Sequence, residues 1–177
     1  LASLPLRSFV SLRGQWAKGG FGMEVADLDV RLLDEQEKEN FLAGSGTLKK
    51  KQEADLKEIC MFIKGMNDPR IRALCIEFIE QFGERLQRAA AARTYHHARR
   101  GGLVEHVAGM MRTASAVCQA NPELNRDLLL AGCLFHDCGK LWENCYPKED
   151  FTMPYSEAGE LLGHIPLGIE LVNNLWK

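Results

Sequence analysis

The sequence is short of the features that mark specialised classes. Its six cysteines (Cys60, Cys75, Cys118, Cys133, Cys138 and Cys145) form no Cys-x-x-Cys pair. Several fall on apolar helical faces, where cysteine behaves as a small hydrophobe. This argues against a disulfide framework and for a reducing, cytoplasmic setting. No apolar run approaches membrane-spanning length and no secretory signal opens the chain, so no membrane partner is expected. Charge of one sign is lacking too: 22 Lys and Arg against 24 Asp and Glu leave a formal net charge of −2. That excludes a general electrostatic grip on nucleic acid, though not a local basic groove. No internal repeat is visible. The chain lacks an initial Met and stops at Trp176 and Lys177 inside a helical pattern; a piece of a longer protein is expected.

What is present is an ordinary globular composition over 177 residues, enough for one domain with a real core and a small appendage. Residues 1–33 carry β patterning. Phe9 to Arg13 is a short strand candidate, and Ala26 to Leu32 alternates apolar and charged residues as a half-buried strand does. A turn is expected over Lys18 to Gly22. Two or three strands do not stand alone in water, so this segment packs on other structure or belongs to a larger β module. Residues 34–51 are polar, contain Gly44, Ser45 and Gly46, and end in Lys49, Lys50 and Lys51; a linker with a solvated lysine run is expected.

From Gln52 onward helical spacing dominates, and the fold class is mainly α. Leu56, Ile59, Cys60, Phe62 and Ile63 share one side of a first helix. Asp68 and Pro69 start a second, with Ile71, Leu74, Cys75, Phe78, Ile79 and Phe82 at helical spacing. Residues 94–102 (TYHHARRGG) break the pattern. The next helix presents Leu103, Val107, Met110, Ala114 and Val117 on one face, and His106 lies on that face. A last helical stretch from Glu157 to Trp176 has an expected inner stripe of Leu161, Ile165, Ile169, Val172 and Trp176, bordered by His164. Pro166 either kinks it or marks its start just after His164.

The chain is organised around residues 124–140, LNRDLLLAGCLFHDCGK. Asn125 and Asp127 can start a helix, which then runs from Leu128 to Phe135 without a charge. A helix apolar all round is expected to be buried on every side. At its end come His136 and Asp137, then Gly139, a candidate helix stop, and Lys140. A carboxylate and an imidazole beside such a run are costly unless paired. A helix-end hydrogen-bonding pair and a shared divalent cation are both open. Three imidazoles, from His106, His136 and His164, with the Asp137 carboxylate suit Mn²⁺, Fe²⁺, Co²⁺ or Zn²⁺ better than Ca²⁺.

These residues resemble the HD-domain superfamily of metal-dependent phosphohydrolases. More narrowly they resemble the YhaM-like bacterial 3′-to-5′ exoribonucleases, which join an N-terminal OB-fold to an HD domain. The resemblance is carried by His96, His97 and Ala98 with GGLVEH at 101–106, by LNRDLL at 124–129, by LFHDCGK at 134–140 and by GELLGHI at 159–165. It covers roughly Gln52 to the C-terminus. It implies an HD-type helical bundle over 52–177, cut short at its C-terminus, with residues 1–33 as a partial OB-fold. Family members close the site with further His residues and a final Asp; here Asp150 is the only Asp after Asp137, too early to match.

The resemblance makes His106, His136 and Asp137 ligands of a first metal, with His164 on a second metal or on the substrate phosphate. One or two divalent ions are implied, Mn first, with Fe, Co, Mg, Zn and Ni as alternatives. Metal-activated water would attack phosphorus in line. Asp137 and Lys140 are the expected catalytic residues, Lys140 also binding a phosphate oxygen; a solvated helix-end lysine is the other reading. His97, Arg99 and Arg100 could hold phosphates, with surface charge the favoured reading for Arg99 and Arg100 taken separately, and Glu143 would orient a ligand. The implied partner is single-stranded RNA, guided by the β segment. A phosphohydrolase of free or cyclic nucleotides and a non-catalytic HD module are the alternatives. A homo-oligomer is left open.

Overall fold

Two strands open the chain. In the computed structural model, which describes Leu4 and residues 8–19, 22–43, 45–92, 97–145 and 154–176, β1 (Val10–Gly19) pairs antiparallel with β2 (Gly22–Leu32). Of the expected features, Gly20, Phe21, Gly44, His96 and Asp150 lie outside the described residues. The strands are longer than the sequence pattern suggests. Their register shifts between Arg13 and Gln15, where Asp27 takes a left-handed φ of 53°. Asp tolerates that conformation better than most residues, and one extra residue on β2 is accommodated as a bulge. The half-buried alternation expected for β2 is not observed: Leu28 and Leu32 are exposed, as are Leu12 and Trp16 on β1.

Residues 34–51, expected as a linker, are largely helical. They hold α1 (Glu35–Ala43) and the start of α2 (Gly46–Lys64). The reason is a reciprocal cap that polar composition hides. The Glu37 amide donates to Asp34 Oδ1 at 2.7 Å, and the Asp34 amide to Glu37 Oε2 at 3.1 Å. The chain divides into two compact units, Leu1–Ser45 and Gly46–Lys177. Lys51 is exposed but paired: its ammonium reaches Asp55 at 2.7 Å and Glu105 at 3.1 Å.

The second unit is helical: α2, α3 (Pro69–Arg88), α4 (Gly102–Ala120), α5 (Arg126–Phe135), α6 (Lys140–Glu143), α7 (Glu157–Leu162) and α8 (His164–Leu175). Asp68 caps α3 by accepting from the Arg70 and Ile71 amides, with Pro69 in the first turn. Asn125 caps α5 through the Leu128 amide. Buried Asp127 accepts from the Asn67 and Asp68 amides at 2.6 and 2.8 Å, so α5 is pinned to the α2–α3 turn at its first residues. Ile59, Ile63, Phe78, Leu86, Leu103, Val107, Met111, Leu130 and Leu134 form the core. Among the described residues no helix is long and apolar enough to cross a membrane.

Two expectations about burial need correction. Helix α5 is not buried all round: Leu130, Ala131, Cys133 and Leu134 are buried, but Leu128 is 62% exposed. Most of the expected stripe of the last helix, all but Val172, is also turned outward. Leu161, Ile165 and Ile169 are exposed, whereas Gly168 is buried and Leu171, Val172 and Leu175 pack on the core. Gly139 explains this rotation. It has ordinary helical φ and ψ rather than the left-handed values of a helix-stopping glycine. Its role is close approach: a Cβ there would lie 1.8 Å from the His164 carbonyl oxygen and 2.6 Å from the Gly168 amide nitrogen. The backbone of α8 therefore rests directly on the 136–139 turn, and α8 starts at His164, with Pro166 in its first turn.

Gly139→Ala is therefore expected to destabilise the fold by about 3 kcal/mol or more. Gly132→Ala, in mid-helix with nothing within 4 Å of the added Cβ, should stabilise by up to about 1 kcal/mol. Urea denaturation of both variants checks the pair; equal midpoints would contradict the packing described.

Candidate metal centre

The site forms where the end of α5 meets the N-terminal part of α4. Helix α5 ends at Phe135, whose ring meets that of buried Phe78 edge-on at 5.3 Å. That contact fixes where the following turn begins. His136 and Asp137 then project from residues 136–139. The His136 Nδ1–H donates to the Cys133 carbonyl at 2.9 Å, which leaves Nε2 as the free nitrogen. His106 comes from α4, and its Nε2 lies 3.2 Å from that of His136. The Asp137 Oδ2 lies 3.3 Å from His136 Nε2 and 3.6 Å from His106 Nε2. One ligand atom from each of His106, His136 and Asp137 falls within 4.8 Å of the others.

The fourth expected ligand stands one step away. His164 Nε2 faces the other carboxylate oxygen, Asp137 Oδ1, at 3.6 Å. Glu143 Oε1 accepts from both the His164 amide, at 3.1 Å, and its Nδ1, at 3.0 Å. The expected orienting role of Glu143 thus falls on His164, and the pair aims Nε2 at Asp137. Lys140 does not extend into solvent. Its ammonium bonds Asp137 Oδ2 at 2.8 Å and the Ala91 carbonyl at 2.6 Å.

The electrostatics follow from this crowding. Burial raises the Asp137 carboxyl, but the bonds to His136 and Lys140 outweigh it and hold the group below the ordinary carboxylate range. The hydrogen bond to Asp137 pushes His136 up against the opposing effect of burial. Burial, then the neighbouring His136, pushes His106 down, toward the neutral form that a metal ligand must have. Two imidazole nitrogens and a carboxylate oxygen, with the His136 tautomer already set, are a donor set that suits a divalent first-row cation.

The basic residues before α4 divide. The His97 ring lies 6.2 Å from the His106 ring, near enough to share a ligand. Arg99, expected on phosphate, is instead held in a two-pronged pair with Glu105 at 3.0 and 2.7 Å. The Arg100 guanidinium is lowered by burial and by nearby Arg88, and its carbonyl accepts from Gln52 Nε2 at 2.9 Å. Sequence reasoning missed Glu105, which is only 3% exposed. Its signal was a single acid in the first turn of an otherwise apolar helix start. Arg99 foremost, with Gln52 and Lys51, pulls its carboxyl down from 4.5 to about 2 against the effect of burial.

The HD domain family model matches residues 103–175, the stretch that supplies His106, His136, Asp137 and His164. Residues 103–175 thus carry the pattern of an HD domain. The chain is similar to proteins named 3′-5′ exoribonuclease YhaM. The protein of that name from Oceanobacillus iheyensis is 34% identical over 146 residues, covering 81% of this chain and 44% of the relative. That from Geobacillus sp. strain WCH70 is 35% identical over 117 residues, covering 66% and 35%. That from Listeria welshimeri is 33% identical over 128 residues, covering 72% and 39%. The chain spans less than half the length of these curated relatives. No solved structure matches it.

One measurement tests the centre directly. His136→Ala and Asp137→Ala should each abolish retention of a divalent metal by the purified chain, and retention should fall in acid as protons compete with the metal for the His106 and His136 nitrogens; unchanged metal content in both variants would remove the site. Separately, a carboxyl depressed in the folded state stabilises above its ordinary pKa and loses that stability as pH falls. Glu105 should thus contribute above pH 4.5 and progressively less toward pH 2. Glu105→Gln should flatten that part of the stability profile measured by urea unfolding.

Proposed function

We propose that this chain is the hydrolytic part of a 3′-to-5′ exoribonuclease that removes mononucleotides from single-stranded RNA in the cytoplasm. The observation that carries the reading is the convergence of His106 and His136 Nε2 with an Asp137 oxygen inside one 4.8 Å cluster. The names of the YhaM relatives give the substrate class. Mn²⁺ is the favoured ion, with Fe, Co, Mg, Zn and Ni as alternatives, and one or two ions are accommodated by this donor set. When bound, such a cation supplies an activated water near neutral pH and offsets charge on phosphoryl oxygens.

The chain's own groups do the rest. The Lys140 side chain reaches Asp137 Oδ2 at 2.8 Å beside the cluster, where its charge offsets that developing on phosphorus oxygens. His164, fixed through Nδ1 by Glu143, keeps Nε2 available for a second ion or a phosphate oxygen. His97 and Arg100 bind phosphate from the turn before α4. The β1–β2 hairpin is the later half of an OB-fold. Its Trp16, 71% exposed, offers an RNA base a stacking surface, and the strand backbone guides the chain.

With Mn²⁺ the protein should release mononucleotides from the 3′ end of single-stranded RNA, and a chelator should stop it. His136→Ala should lower kcat by about 10³ or more, and Lys140→Ala by about 10². Hydrolysis of free or cyclic nucleotides alone would make the chain a different HD phosphohydrolase. Metal retention without any hydrolysis would make it a binding module.

A further inference from the structure

The turn that precedes α4 is held in a conformation its own residues do not favour. His97 has a left-handed φ of 58°, uncommon for a residue with a side chain. Its carbonyl accepts from the Arg99 amide at 2.8 Å and the Ala91 amide at 3.3 Å. Gly102 must lack a side chain, because a Cβ there would lie 1.9 Å from that same oxygen. On the other side, Gln52 of α2 donates to the Arg100 carbonyl at 2.9 Å.

Glu105 joins these supports. Its side chain is 1% exposed. Oε1 accepts from Arg99 Nε at 3.0 Å and Gln52 Nε2 at 2.9 Å; Oε2 accepts from Arg99 Nη2 at 2.7 Å and Lys51 Nζ at 3.1 Å. A guanidinium gripped by both nitrogens on a buried carboxylate has essentially one geometry. Among the described residues, His97 Nδ1 is buried without a hydrogen-bond partner, 3.7 Å from Glu105 Oε2. Glu105 contributes no atom to the His106, His136 and Asp137 cluster, although it precedes His106 directly. Its bonds all go to the turn and to α2.

We propose that Glu105 is a positioning residue: through Arg99 and Gln52 it locks the 97–101 turn, so that the His97 imidazole stands beside His106 as the group that meets a phosphoryl oxygen of the substrate. This rests on the phosphodiesterase reading above. The Arg99 side chain is 46% exposed, so without a carboxylate it turns to water and the turn loses its grip on α4. A shift of His97 by about an ångström then misplaces it for phosphate.

The test uses Glu105→Gln, His97→Ala and the double variant. In Glu105→Gln, hydrogen exchange at the Arg99 and Gly102 amides should rise about tenfold or more, while metal content stays at the wild-type level. Each single variant should lower kcat/KM for mononucleotide release by about 10- to 100-fold, and the double variant should be no slower than His97→Ala. Unchanged exchange at Arg99 and Gly102, or losses that multiply in the double variant, would overturn the proposal. If the wild-type chain releases no mononucleotide, the phosphodiesterase reading fails by itself. The exchange measurement then decides alone whether Glu105 holds the turn.

Discussion

One carboxylate governs the arrangement. Asp137 is buried, and a buried anion is costly unless its oxygens are matched by donors or cations. Lys140 meets Oδ2, the His136 and His106 nitrogens approach that oxygen from the side, and His164 approaches Oδ1. The imidazoles need Asp137 in return. Their Nε2 atoms are 3.2 Å apart, and His136 has committed its Nδ1–H to a carbonyl. In the neutral ring its Nε2 is therefore a lone pair aimed at another nitrogen. Only a proton or a cation between them satisfies both. The same geometry that would be awkward in an ordinary core is one that a divalent cation would suit.

Much of the second unit serves to hold that point. The Phe78 and Phe135 rings fix the end of α5. The bare backbone of Gly139 lets the first turn of α8 come against residues 136–139, which brings His164 to Asp137. Glu143, at the end of α6, takes the amide and ring of His164 together. Lys140 ties Asp137 to the Ala91 carbonyl just beyond α3. Each is a short-range contact, so the ligands are supported by rigid elements and not by a free loop, which is what precise chemistry requires.

The parts of this account that were legible in the sequence are those with a local signal. His136 with Asp137, His106 on an apolar face and the helix starts at Asp68 and Asn125 depend on neighbours within a turn or two. Three features were not legible, each for a definite reason. The cap between Asp34 and Glu37 lies in a segment whose composition looks like a linker. The rotation of α8 depends on Gly139, far from it along the chain, so an apolar stripe read on the helix alone selects the wrong face. The Arg99–Glu105 pair converts an apparent phosphate-binding arginine into an internal brace, a change that only the folded turn reveals. Family likeness supplied the expected ligand set but carried no information about these braces.

The central claim is that His106, His136 and Asp137 share one divalent cation. Crystals of the Mn²⁺-loaded protein, recorded at the manganese absorption edge, test it most directly. The account predicts an anomalous peak about 2.0–2.4 Å from both Nε2 atoms and from an Asp137 oxygen. A manganese-loaded protein with no peak among those three side chains, or with its peak elsewhere, would contradict it.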